Sequence, residues 1–181
     1  AAIKYTVPNS HKNFQFTDAI HYVVTEKQPQ FEVTDNAREL TILSYNTQVW
    51  PLYGQVGGNI MNKPGQRIID IAKKTSRYDV VTLQEVFERG KREELTQLML
   101  ANYPYHLEPS KDKVHPLSSG VVIYSRWPIV ASDHIIYRHC QGIDCGASKG
   151  ASYAKIEKYG RFYHVFSTHF EAGSSDKTYG S

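Results

Sequence analysis

Three polar side chains stand where apolar runs give way: Asn46 closes "LTILSYN", Glu85 follows "VVTLQ" and His169 follows "HVFST". Each is expensive to bury without a partner. A strand delivers its terminal residue to one edge of its sheet, so neighbouring strands would bring all three to one rim. A carboxylate with an amide oxygen suits a hard cation such as Mg²⁺, which keeps several waters and takes one or two carboxylates. A histidine beside such an ion suits a phosphoryl oxygen. Taken singly, each residue has a structural explanation: Asn46 as a turn former, Glu85 in an ion pair or capping the next helix, His169 hydrogen-bonded in place. The trio together carries the chemical reading.

The elements that must position these residues are written in the periodicities. "LTILSYN" and "DVVTLQEV" read as short apolar strands. Between them lies a glycine-rich loop, "GQVGGNIMNKPG", which lacks the G-K-[ST] ending of a phosphate-binding loop. "QRIIDIAKKTSRY" follows, with Ile68, Ile71 and Ala72 at helical spacing and basic residues near its end. "KREELTQLMLANY" is an amphipathic helix with Leu95, Leu98 and Met99 on one stripe. "SSGVVIYSRWPIV" is two strands broken at Trp127-Pro128, and "ASYAKIEKYGRFYHVFSTHF" is a hairpin turning at Tyr159-Gly160. Strand, helix, strand, helix and then a run of strands predicts a mixed sheet with helices on one face. Residues 1–38 differ: "FQFTDAIHYVV" and "QFEV" are strand-like but polar and "TDNAREL" is linker-like, which makes them an N-terminal arm or the remnant of a preceding module, with 39–181 as the main unit. The final "AGSSDKTYGS" is polar and turn-like.

A chain of 181 residues is long enough for one domain with a real core, and 40% hydrophobic with 22% charged residues is the composition of a soluble globular protein. The net charge of +3 permits an anionic partner without calling for a nucleic-acid surface. No apolar run approaches the roughly 20 residues of a membrane span. The opening "AAIKYTVPNS" has no basic stretch followed by an apolar one, so no signal peptide is read there, as would hold for a mature exported chain. The two cysteines, Cys140 and Cys145, have C-x4-C spacing. No second pair accompanies them, which argues against a zinc site, and a CxxC redox motif is shorter; a local disulfide in an exported protein is the preferred reading.

Here the residues meet a family. "LTILSYNTQVW", "DVVTLQEVF", "GVVIYSRWPIV", "CQGIDCGASKGASYAKI" and "RFYHVFSTHFEAG" resemble, in order, the blocks of bacterial neutral sphingomyelinases, members of the DNase I-like endonuclease/exonuclease/phosphatase superfamily. The resemblance covers about residues 40–173. It implies an α/β fold with mixed sheets: a DNase I-like sandwich of two sheets with outer helices, of which this chain holds the N-terminal half, and a site at one rim. It implies Glu85 as the main Mg²⁺ ligand, Asn46 assisting the metal directly or through water, and His169 on the substrate phosphate. The implied activity is a secreted, Mg²⁺-dependent phosphodiesterase, in some members a hemolysin, that releases ceramide and phosphocholine from sphingomyelin at membrane surfaces, without a membrane span and without nucleic acid.

The resemblance also exposes a deficit. The family continues with a G-D-x-N block and ends with a D-H block, whose histidine is the usual general base, and neither is found. Asp176 has no following asparagine, and Asp133-His134 comes too early, inside a strand run. His11, His21, His106, His115, His139 and His164 have no motif context. Three accounts follow: a chain that continues, a second chain that carries the rest, or an inactive half-domain. A half sandwich would leave a sheet face exposed. Lys149-Gly150 reads equally as a site contribution or as a solvent lysine before a strand; Trp127 reads as core, while Trp50 and Tyr53, close behind Asn46, belong either to the core or to the site mouth. The competing functions are another phosphoesterase of the superfamily, a nuclease or phosphoinositide phosphatase, and a membrane-binding module without turnover.

Overall fold

The computed structural model describes residues 2–6, 36, 38–51, 64–140 and 142–170. The strand-like segments "FQFTDAIHYVV" and "QFEV", most of the glycine-rich loop, Tyr53, His11, His21, Asp176 and the closing "AGSSDKTYGS" lie outside them.

Two sheets face each other. The first has five strands in the order β1 (Ala2–Thr6), β2 (Glu39–Val49), β3 (Val80–Val86), β5 (Val122–Ser125) and β4 (Tyr105–Leu107). β2 and β3 are parallel and the other pairs antiparallel, which is the mixed sheet that the element order predicts. The second sheet is antiparallel, in the order β6 (Ile129–Ile136), β7 (Gly150–Lys158) and β8 (Arg161–Thr168). The strand starting at "LTILSYN" begins one residue earlier than its apolar run, at Glu39, because the turn at Asn36 already closes with Glu39 N–H on the Asn36 carbonyl at 3.1 Å.

α1 (Pro64–Thr75) and α2 (Arg89–Met99) pack on the outer face of the first sheet. Proline opens α1, where its missing N–H costs nothing, and Lys73 and Lys74 sit in its last turn, where the helix dipole favours cations. α2 starts before its apolar stripe: the Glu88 carboxylate caps it, accepting from the Gly90 and Lys91 N–H groups. Leu95 and Met99 are buried as the stripe predicts, but Leu98 is exposed. Thr96 takes the inward place instead and is bonded to the Tyr124 hydroxyl at 2.9 Å.

β3 runs between two apolar layers. Val81, Leu83 and Val86 face the helices together with Ile68, Ile71 and Tyr103. Val80 faces the second sheet with Leu40, Ile123, Ala154, Ile156, Tyr163 and Val165. Strand alternation produces this split up to Leu83, and the left-handed backbone at Glu85 shifts the parity so that Val86 returns to the helix side; with both faces covered, "VVTLQEV" reads as largely apolar. The inter-sheet layer turns polar toward one rim: the Gln84 amide reaches Ser167 at 3.0 Å, Ser44 at 3.2 Å and Thr82 at 3.4 Å. The face between the sheets is therefore covered, and among the described residues nothing covers the outer side of β6–β8, where Ile135, Phe162 and Phe166 stand exposed.

The hairpin turns at Tyr159 and Gly160, both at positive φ, as a two-residue turn between right-twisted strands requires.

Candidate active site

The polar rim is where β2, β3 and β8 end. β2 carries one extra residue there: Asn46 pairs with Gln84 and Val49 with Val86, so Thr47 and Gln48 oppose Glu85 alone. Such a bulge re-aims side chains beside a site. Thr47 Oγ1 donates to the Gln84 carbonyl at 2.8 Å and Arg67 Nη1 donates to the Thr47 carbonyl at 2.9 Å, which pins the bulge. Gln48 and Glu85 both hold left-handed backbone, φ 51° and 60°. A non-glycine residue in that region costs on the order of 1–3 kcal/mol and is held only by surrounding contacts.

Those contacts converge on the Glu85 carboxylate. Asn46 Nδ2 donates to Oε1 at 2.7 Å, Trp50 Nε1 donates to Oε2 at 2.8 Å, and His169 Nε2 lies 3.4 Å from Oε1. The Asn46 amide oxygen is turned away and accepts the Gln48 N–H at 3.2 Å. The Glu85 and His169 side chains are 14% and 13% exposed, so the carboxylate is recessed yet reachable. Burial alone would raise the Glu85 carboxyl; the hydrogen bonds from His169, Asn46 and Trp50, with the charge of His169, outweigh it and hold the group below its ordinary value. The carboxylate is thus ionised at neutral pH.

Aromatic rings wall this site. Trp50 packs on Phe87 at 4.8 Å between centroids and Phe87 on His169 at 5.9 Å. Phe87 lies against Gly120, where a Cβ would meet its ring at 2.8 Å, and the φ of 68° there also favours glycine. His169 is held through its backbone, its N–H reaching the Gly150 carbonyl at 3.3 Å, and its Nδ1 is buried with no hydrogen-bond partner among the described residues.

The sequence reading of Asn46, Glu85 and His169 as neighbours at one rim therefore corresponds to a real cluster. Trp50 stands at the site mouth, with its N–H turned to Glu85. Trp127 lies at the other end of the sandwich, part of the inter-sheet core, with its Nε1 on Asp79 at 2.7 Å. Lys149 is not a solvent lysine: it is 7% exposed, ion-paired with Asp144 at 2.7 Å, and donates to the Phe170 carbonyl at 3.1 Å. Asp144 lies inside the ring closed by the Cys140–Cys145 disulfide, on a 3-10 turn, Gly142–Gly146, that runs one residue past it. Asp133 and His134 lie exposed on β6. His106 stacks on Tyr124, His115 pairs with Asp112, and His164 meets the Tyr153 hydroxyl.

The donor set can be tested against a metal ion. Among the described residues no three His, Cys, Asp or Glu side chains gather around one point, so a protein cage for a stripped ion is not built there. One ionised, recessed carboxylate with unfilled lone pairs fits a hard divalent ion that keeps most of its water. Among the described residues no helix is long and apolar enough to cross a membrane.

A model of the endonuclease/exonuclease/phosphatase family matches residues 43–175. The chain is 29% identical over 163 residues to a sphingomyelinase C of Bacillus cereus, an alignment spanning 78% of this chain and 46% of that protein. It superposes on the crystal structure of sphingomyelinase C from Streptomyces griseocarneus with a TM-score of 0.67 at 26% identity, over 75% of this chain and 50% of that one. A mutant beta toxin of Staphylococcus aureus, solved with bound magnesium ions, is similar with a TM-score of 0.67 at 26% identity, over 75% and 51% of the two chains. The chain spans about half or less of the length of the relatives it matches.

Proposed function

The chain belongs to the endonuclease/exonuclease/phosphatase family, and on that premise we propose that it forms part of a secreted, Mg²⁺-dependent phosphodiesterase that cleaves sphingomyelin to ceramide and phosphocholine at a membrane surface. The observation that carries this reading is the ionised Glu85 carboxylate, held at the strand rim by Asn46 with His169 alongside. The likeness to sphingomyelinase C proteins supports the substrate class. The Cys140–Cys145 disulfide supports an oxidising compartment, and with it export.

In this reading Glu85 anchors the ion and Asn46 orients the carboxylate by donating to it. Mg²⁺ would supply charge neutralisation of the phosphodiester and polarisation of its phosphoryl group. His169, beside Glu85, would donate to a phosphate oxygen and align the diester for attack. The group that accepts a proton from the attacking water would come from the part of the relatives that this chain does not span, either as a continuation or as a second chain.

Glu85→Gln in the full-length protein tests the reading. It keeps shape and loses the charge. Phosphocholine release from sphingomyelin vesicles should fall by at least about 100-fold with circular dichroism unchanged, the scale on which a missing electrostatic group costs catalysis. Normal turnover by this variant would overturn the metal assignment. Hydrolysis of DNA or phosphoinositides in preference to sphingomyelin would move the protein to another branch of the family, and vesicle binding that survives EDTA without turnover would make it a docking module.

A further inference from the structure

We infer that Trp50 is a positioning residue for divalent-ion binding, a role that rests on the reading of Glu85 as the ion's anchor. An indole N–H only donates, so its bond to Oε2 at 2.8 Å favours the ionised carboxylate in one rotamer. Asn46 holds the other oxygen at 2.7 Å, so the carboxylate is clamped from both ends by two side chains of the same strand end, four positions apart. The clamp matters here because Glu85 takes left-handed backbone, which fixes its Cα–Cβ direction but leaves the longer side chain to be aimed by its partners. Trp50 is itself fixed: its ring packs on Phe87, which packs on both Gly120 and His169. One ring thus ties the orientation of the anchor to the wall beside the histidine.

The same bond at the other end of the molecule serves as the contrast. Trp127 donates to Asp79 at 2.7 Å, but Asp79 is fully buried and also accepts from Thr41 and Lys158. Asp79 has no room for an ion, whereas Glu85 is 14% exposed and faces the opening.

The test is direct ion binding, measured by calorimetry with MgCl₂ on the full-length protein, for wild type, Glu85→Gln, Trp50→Phe and Trp127→Phe. Trp50→Phe should weaken Mg²⁺ binding by about tenfold, the lower end of what loss of an orienting partner costs, and should leave the melting temperature in EDTA near that of wild type. Activity of Trp50→Phe should return toward wild type as Mg²⁺ is raised. Trp127→Phe should bind the ion like wild type. A second measurement titrates wild type itself, the variants serving only to assign its signals: with fluorinated tryptophan incorporated, the ¹⁹F resonance absent from Trp50→Phe should move on adding Mg²⁺, and the one absent from Trp127→Phe should not. Wild-type affinity in Trp50→Phe, with Glu85→Gln defective, overturns the role of Trp50 alone. Unchanged binding in Glu85→Gln, or none in wild type, overturns the anchor and this inference with it.

Discussion

Asp112 shows how much a single carboxylate can organise. Its Oδ1 accepts the N–H groups of Val114 and His115 at 3.0 and 2.9 Å and the Ser148 hydroxyl at 3.2 Å, and its Oδ2 meets His115 Nδ1 at 2.7 Å. The His115 N–H leads the causes that pull its pKa down to about 2, against a burial that pushes the other way. A carboxyl lowered on folding adds stability above its unfolded value, about 3.9, and that share is lost as pH falls from about 4 through about 2. Asp112→Asn should therefore lower the melting temperature at pH 6 and lose less than wild type between pH 4 and pH 2. Calorimetry at the three pH values checks this, and parallel acid losses in both proteins would show that Asp112 does not contribute. Residues of this kind differ in how readable they are. Asn46, Glu85 and His169 were legible because each interrupts an apolar run at a strand end. The bond from Trp50 was not, because its partner lies 35 positions away and depends on a bulge. The burial of Lys149 was equally hidden, since a loop has to fold before Asp144 can reach it.

Strands and helices were legible where periodicity is strong. β7 alternates buried and half-buried residues along its whole length, and the Tyr159-Gly160 turn fixes its register with β8. β4, three residues long, has too few positions to show a period. The stripe on α2 misplaced Leu98, because the Thr96 hydroxyl found a buried partner in Tyr124 and turned that side inward. Between elements, one contact holds the two sheets at the end away from the site. Lys158 ends β7 and Asp79 precedes β3; their side chains pair at 3.2 Å, both fully buried, and Lys158 also donates to the Glu39 carbonyl at 2.9 Å. Removing one partner of a buried pair leaves a charge without its counter-ion. Lys158→Met should cost about 3 kcal/mol, the lower end of the usual range, because Thr41 and Trp127 still donate to Asp79. Adding Asp79→Asn should recover part of it. Urea unfolding of the single and double variants measures both steps, and a loss under about 1 kcal/mol for Lys158→Met would mean that this ion pair adds little to the joining of the sheets.

At the scale of the molecule, the order of strands and helices predicts one mixed sheet, and the run of strands at its end instead forms a second sheet, β6–β8; that two-sheet plan was legible only through the resemblance, and the direction of the second sheet was not legible at all. β8 reads Phe162, Tyr163, His164, Val165, Phe166, Ser167, with large apolar residues at both parities. Packing decides the matter: Tyr163 and Val165 meet Val80 and Ile123 inside, which leaves Phe162 and Phe166 outside at 53% and 70% exposure. Lys155 lies 4.0 Å over the Phe162 ring and Tyr153 packs on Phe166 at 4.9 Å, so both rings stand on the same outer face against neighbours on β7. Among the described residues helices back only the first sheet. A surface of this kind attracts apolar solutes and other proteins in water. The 181-residue chain on its own should therefore bind an apolar fluorescent dye in its folded state. Phe162→Ser with Phe166→Ser should reduce that binding several-fold, while the unfolding free energy changes by no more than about 0.5 kcal/mol per site, as for exposed positions in general. Dye binding that is unchanged in the double variant would place the accessible apolar surface elsewhere. A large loss of stability would show that the two rings are packed in solution, so that the outer face of the second sheet is covered.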